Sequence, residues 1–166
     1  IQGLCVNAVN TPAINYGIGG DTTIGVLGRL QFYKSMHAAK AIILSVGIND
    51  LFYRSKDEII GNYQIILEKM PDNVPIILNP LFPINERLIK YENFSNDTIS
   101  YINMALEDTC KKTVKSCYYL DTYSHMIDST ENLKEELQAR DGLHLNTKGN
   151  SLWINLLKDF LTKTEH

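Results

Sequence analysis

The chain carries a net charge of -3 over 166 residues, 44% of them hydrophobic and 21% charged, a composition that suits a globular domain able to bury a core without metal or disulfide staples. No dense Lys/Arg stripe points to nucleic acid, and no run of about 18 apolar residues points to a membrane span. One domain over residues 1–166 is expected. In chain order, Ala13–Tyr16 is a short strand candidate, and Thr22–Tyr33 follows as a helix with Val26, Leu27 and Leu30 on one face. Ala41–Val46 is almost wholly apolar rather than alternating, the pattern of a strand covered on both faces. Lys56–Met70 is a second helix, with Ile59, Ile60, Tyr63, Ile66, Leu67 and Met70 on its apolar face, and Val74–Asn79 the next strand. Asp97–Thr113 is helical through Ile99, Ile102, Ala105 and Leu106, Cys117–Asp121 is a strand, and Thr147–Lys163 closes the chain as a helix carrying Leu152, Leu156, Phe160 and Leu161. Strands alternating with helices predict right-handed crossovers and a three-layer α/β/α sandwich. In such folds the functional groups gather at the carboxyl ends of the strands.

Cys5, Cys110 and Cys117 cannot all pair with one another, and they lack the Cys-x-x-Cys spacing of zinc sites. They are read as small buried thiols, which favours a reducing, cytoplasmic setting while leaving export open. No metal or organic cofactor is expected. Asn93-Phe94-Ser95 and Asn96-Asp97-Thr98 match glycosylation acceptors, of weight only in a secretory pathway.

Three stretches fall at predicted strand ends. Asn15-Tyr16-Gly17-Ile18-Gly19-Gly20-Asp21-Thr22-Thr23 is a glycine turn entering a helix, where backbone N–H groups can approach a ligand closely. A phosphate loop is the rival reading, but Thr22 stands where the dinucleotide fingerprint needs its third glycine. Gly47-Ile48-Asn49-Asp50 ends the next strand; Asn49 supplies a neutral amide donor fit for an oxyanion, against the plainer reading of an Asx turn with Asp50 as a cap. Asp141-Gly142-Leu143-His144 precedes the last helix, with a carboxylate three residues from an imidazole. The carboxylate can hold one ring nitrogen and leave the other to take a hydroxyl proton. His37, His125 and His166 are read as exposed or structural.

Taken in order, these stretches resemble blocks II, III and V of the SGNH (GDSL-type) hydrolase superfamily, from about Ile14 to the final helix. The resemblance implies a flavodoxin-like parallel sheet of order 2-1-3-4-5 and a serine-dependent ester hydrolase. By it, the Gly20 N–H and the Asn49 amide form the oxyanion hole, Asp141 orients His144, and His144 is general base and then general acid. Asp21, Leu51 and Phe82 are expected to meet the substrate. The loops Leu51–Ser55, Leu81–Phe94 and Asp128–Arg140 would shape its choice, Phe82, Pro83, Tyr91 and Phe94 forming an apolar wall. The implied substrate is a small ester, an acetylated sugar or a short-chain or lysolipid ester, and a homo-oligomer is left open.

The superfamily's nucleophile block, Gly-Asp-Ser-Leu-like, is not in this sequence. Ile1-Gln2-Gly3 looks like its tail, so the serine and the first strand are expected just ahead of Ile1. Ser45 has half of a Gly-x-Ser-x-Gly elbow but lies in an apolar run, so its hydroxyl is expected to point into packing; Cys5 is read as helix core. Two other readings share the architecture. One is a non-catalytic SGNH-like module that binds carbohydrate or a partner. The other is a flavodoxin-like nucleotide or flavin binder, which leaves the Asp-x-x-His loop unexplained.

Overall fold

Runs of isoleucine and leucine build the centre of the sheet. A computed structural model describes residues 12–164; the expectations for Ile1-Gln2-Gly3, Cys5 and His166 lie outside them. The chain divides into two compact units, each with its own core.

The sheet unit comprises Gly20–Leu81 and Asp97–Asp121. Its strands are β1 (Ile42–Leu44), β2 (Ile76–Leu78) and β3 (Cys117–Tyr119). They are parallel in the order β1-β2-β3, with Ile42 opposite Ile76 and Ile76 opposite Cys117. Every residue of the central β2 is buried, as a strand between two neighbours and beneath helices requires. This order is that of the last three strands in the expected 2-1-3-4-5 arrangement, and helices flank the parallel sheet as an α/β/α fold demands.

Ala13–Tyr16, expected as a strand, takes no regular secondary structure.

The helices here are α1 (Thr23–Arg29), α2 (Lys56–Lys69) and most of α3 (Asn96–Lys112). Thr22 caps α1 through Gly25 N–H at 3.2 Å. The expected helix over Thr22–Tyr33 breaks after Arg29 into short 3₁₀ turns at Leu30–Phe32 and Lys34–Ala38; Gly25 and Gly28 weaken it, since each glycine costs about 1 kcal/mol against alanine. By contrast α2 has a full capping box, Ser55 Oγ accepting from Glu58 N–H and Glu58 Oε2 from Ser55 N–H. It buries Ile59, Tyr63, Ile66 and Leu67.

Cys110, in the last turn of α3, and Cys117, which opens β3, form a disulfide with Cα atoms 5.3 Å apart. This corrects the free-thiol expectation for these two residues. The reversal between α3 and β3 is short enough to bring their Cβ atoms together, a proximity that sequence spacing alone does not show. Their pairing gives no support to a reducing compartment.

The loop unit holds the described residues 12–19, Phe82–Asn96 and the chain from Thr122 onward. Its regular elements are α4 (Tyr123–Met126), a 3₁₀ turn at Glu135–Leu137 and α5 (Thr147–Thr164). Met126, Leu133, Leu137 and Trp153 form its core. Buried amides anchor the irregular chain: Asn96 Oδ1 accepts from Ile84 N–H at 2.9 Å and its Nδ2 donates to Ile84 O at 2.8 Å. Asn96 is therefore not presented as a glycosylation acceptor, whereas Asn93 is exposed. No described helix is long and apolar enough to cross a membrane.

Candidate active site

The expected oxyanion donors lie in the sheet unit. Gly20 takes φ +73°, and a Cβ there would meet nothing within 4 Å, so glycine is required by the backbone conformation rather than by space. Asn49 sits in a 3₁₀ turn, Ile48–Phe52, entered through Gly47 at φ +117°. Its Nδ2 donates to Asp21 O at 2.8 Å, one residue beyond Gly20. That bond uses one amide hydrogen and leaves a second. Upstream, the buried Tyr63 hydroxyl donates to Val46 O and fixes the peptide from which the turn springs. Burial pushes the phenol's pKa up, so it stays protonated and able to donate.

One buried residue, seen in the sequence only as a possible cap, organises this region. Asp50 is fully buried. Its Oδ2 accepts from Thr23 N–H at 2.8 Å, and its Oδ1 from the Thr23 hydroxyl at 2.6 Å and from Arg54 Nη1 at 3.2 Å. Asn62, on α2, donates to Thr23 Oγ1 at 2.8 Å. The available signal was an acidic residue at the end of a strand read as buried, since a buried carboxylate needs partners.

The acid–base pair lies in the loop unit. Asp141 Oδ1 accepts from the backbone N–H groups of Leu143 and His144, each at 2.9 Å. Asp141 Oδ2 meets His144 Nδ1 at 2.7 Å. An ionised carboxylate only accepts, so the proton of this bond sits on Nδ1, and in the neutral imidazole that tautomer puts the lone pair on Nε2. Burial acts to raise the Asp141 pKa, but the His144 and Leu143 backbone bonds and the imidazole outweigh it and hold the carboxyl below its ordinary 3.8. The His144 side chain is 74% exposed, so Nε2 is open to a reactant.

The local chain builds this geometry. Gly142 turns at φ +78°, and a Cβ there would lie 2.8 Å from Asn85 O and 2.9 Å from Leu88 Cβ. Gly142 N–H donates to Gln138 Oε1 at 2.9 Å, and Ala139 N–H to His144 O at 2.8 Å. Asn146 caps α5 by accepting from Gly149 N–H at 3.0 Å, while its Nδ2 donates to Glu136 O and Gln138 O.

Leu51, expected to meet the substrate, is 2% exposed and packs among the buried residues, the 3₁₀ turn pointing it inward. Asp21 is ion-paired with Arg29. Phe82 is half-buried, with its ring against Trp153 at 5.1 Å in the loop-unit core. Ser45 Oγ accepts from the buried Asn79 amide at 3.3 Å at the end of β1, a packed rather than a presented hydroxyl. His37 and His125 are exposed. Among the described residues no group of three or more His, Cys, Asp or Glu side chains could hold a metal ion.

The model of the GDSL-like Lipase/Acylhydrolase family matches residues 2–152. No curated protein sequence matches the chain. Among solved structures, a protein from Streptococcus pneumonia provisionally described as a platelet activating factor is 26% identical, with TM-score 0.80 over 89% of this chain and 72% of that one. A GDSL-like lipase from Bacteroides thetaiotaomicron is 20% identical, with TM-score 0.73 over 91% and 76% of the two chains. A mutant of an acetyl-xylooligosaccharide esterase from Geobacillus Stearmophilus is 19% identical, with TM-score 0.69 over 87% and 69%. The last two attest the fold. With most of its length matched by the family model, the chain belongs to the GDSL-like Lipase/Acylhydrolase family of the SGNH hydrolase superfamily, a class of hydrolases acting on esters.

Proposed function

We propose that the protein is a serine esterase acting on short acyl esters, with His144 as general base and acid, Asp141 as its orienting carboxylate, and the Gly20 N–H and Asn49 Nδ2 as oxyanion donors. The observation that carries the reading is the Asp141–His144 pair, a 2.7 Å bond between Nδ1 and the carboxylate on a side chain that is otherwise exposed. Nε2 takes the proton of a serine hydroxyl as its oxygen attacks the ester carbonyl. The carbonyl oxygen gains the negative charge, which the two neutral donors stabilise. Collapse of this intermediate breaks the bond to the alcohol, which leaves with the proton from His144. Water, deprotonated in turn by His144, then releases the acid.

Acetyl is the favoured acyl group, because the sequence carries no large apolar lid segment; the similar fold of an acetyl-xylooligosaccharide esterase supports an acetylated sugar as the substrate class. The test is hydrolysis of p-nitrophenyl acetate by the full-length protein, with a fluorophosphonate label located by mass spectrometry. Turnover that Asp141→Asn reduces by roughly a thousandfold or more, with the label on a serine, is expected. Binding of acetylated oligosaccharides without turnover or labelling would overturn the reading in favour of a carbohydrate-binding module.

A further inference from the structure

We propose that Asp50 is a positioning residue for ester hydrolysis. Acting through Thr23, it locks the Gly20–Thr23 turn to the Ile48–Phe52 turn, so that the Gly20 N–H and the Asn49 amide form one preset donor pair. This rests on the oxyanion reading of Gly20 and Asn49 given above.

Two straps join the turns. Asn49 Nδ2 reaches Asp21 O at 2.8 Å, and one residue along, Asp50 takes both the N–H and the hydroxyl of Thr23, at 2.8 and 2.6 Å. A single bond would leave the turns free to pivot about it; two straps on successive residues remove that freedom. The restraint matters because the backbone on both sides is glycine in a left-handed conformation, Gly20 at φ +73° and Gly47 at φ +117°, and glycine holds no orientation by itself.

The chemistry of the strap needs a carboxylate. Three donors converge on Asp50: the Thr23 N–H, the Thr23 hydroxyl and Arg54 Nη1. Only an acceptor with two oxygens meets all three, whereas asparagine would turn an NH₂ toward one of them. The Thr23 hydroxyl is in turn fixed from α2 by Asn62. A negative charge this near a site of developing negative charge is electrostatically adverse, so the arrangement is worth keeping for its geometry. Preset donors cost no reorganisation when the charge forms.

The experiment compares Asp50→Asn and Thr23→Val in the full-length protein. It measures kcat and KM on p-nitrophenyl acetate per fluorophosphonate-reactive site, and affinity for a trifluoromethyl ketone, whose tetrahedral adduct places an oxyanion in the hole. Misplacement by about an ångström costs about a hundredfold. Asp50→Asn is thus expected to lower kcat by roughly 30–100-fold with KM within about threefold, and to weaken the ketone in step with kcat/KM. Thr23→Val, which keeps the N–H strap and the side-chain shape, is expected to lose roughly five- to tenfold and carries the test if Asp50→Asn does not fold.

A kcat per reactive site within about twofold of the parent overturns the proposal. So does a loss of rate without loss of ketone affinity. If His144→Ala and Asn49→Ala lower turnover by about a hundredfold or more while the Asp50 and Thr23 variants stay within about twofold of the parent, positioning alone fails. If those two leave turnover unchanged, the oxyanion reading itself fails.

Discussion

The two halves of the candidate site are held in opposite ways. In the sheet unit, Gly20 and Asn49 depend on partners far along the chain: Asp50 reaches Thr23 across 27 residues, and Asn62 reaches it across 39. The centre of that network, Thr23 and Asp50, is wholly buried. In the loop unit, Asp141 and His144 are three residues apart and exposed, fixed by a turn that bonds to itself. In the proposed mechanism, then, the oxyanion donors are set by long-range bonds, whereas the proton-transfer group is set by a short local loop and left exposed. Disturbance should therefore spread in the sheet unit and stay local in the loop unit.

Removing the imidazole tests the local half most severely. His144→Ala should lower kcat by roughly a hundred-thousandfold while the thermal midpoint stays within a few degrees, since the side chain is exposed; a large loss of stability would contradict the picture of a self-contained loop. Asn49→Ala should cost roughly a hundred- to a thousandfold in kcat and also lower the midpoint, because the strap to Asp21 O goes with it.

The glycines sharpen the contrast. Gly142→Ala meets both a left-handed backbone and Asn85 O at 2.8 Å, and should cost about 3 kcal/mol of stability. Gly20→Ala meets only the backbone term and should cost about 1–2 kcal/mol. Denaturant titration measures both, and equal costs would show that the space around Gly142 gives way.

Cys117→Ser opens a short loop in the sheet unit and should cost about 2.5 kcal/mol by chain entropy, read as a fall in midpoint that reductant reproduces in the parent protein.

The smallest effect is at acid pH. The folded Asp141 carboxyl titrates below its ordinary 3.8, so the unfolded chain binds more protons in that window and stability rises with pH across it. The contribution is complete above the unfolded value and is lost as pH falls through the folded one. A shallower loss of midpoint below about pH 4 in Asp141→Asn than in the parent would confirm the sign.

The most legible parts of the sequence are those where the residue type is dictated locally. Apolar runs such as Ile42–Leu44 and Ile76–Leu78 place strands because burial on both faces leaves them no polar alternation, and the Ser55–Glu58 box marks the start of α2 to the residue. Asp141 and His144 are legible for the same reason: their pairing is written into a spacing of three.

The contacts that organise the other half join residues with no periodic relation. The grip of Asp50 on Thr23 and the bond of Tyr63 to Val46 have no local signature. Leu51 belongs to the core because its turn aims inward, which composition cannot reveal. The Cys110–Cys117 bridge depends on how tightly the chain reverses between α3 and β3, and seven residues of spacing fit a bridge and two separate thiols equally well.

The Asp141–His144 turn is closed within Gln138–Leu145, whose ends pair as an antiparallel bridge. Under the proposed function, proton handling is confined to a cassette of eight residues. The Asp128–Lys134 stretch lies outside that cassette, so a change in its length would leave the bonds that hold the imidazole in place.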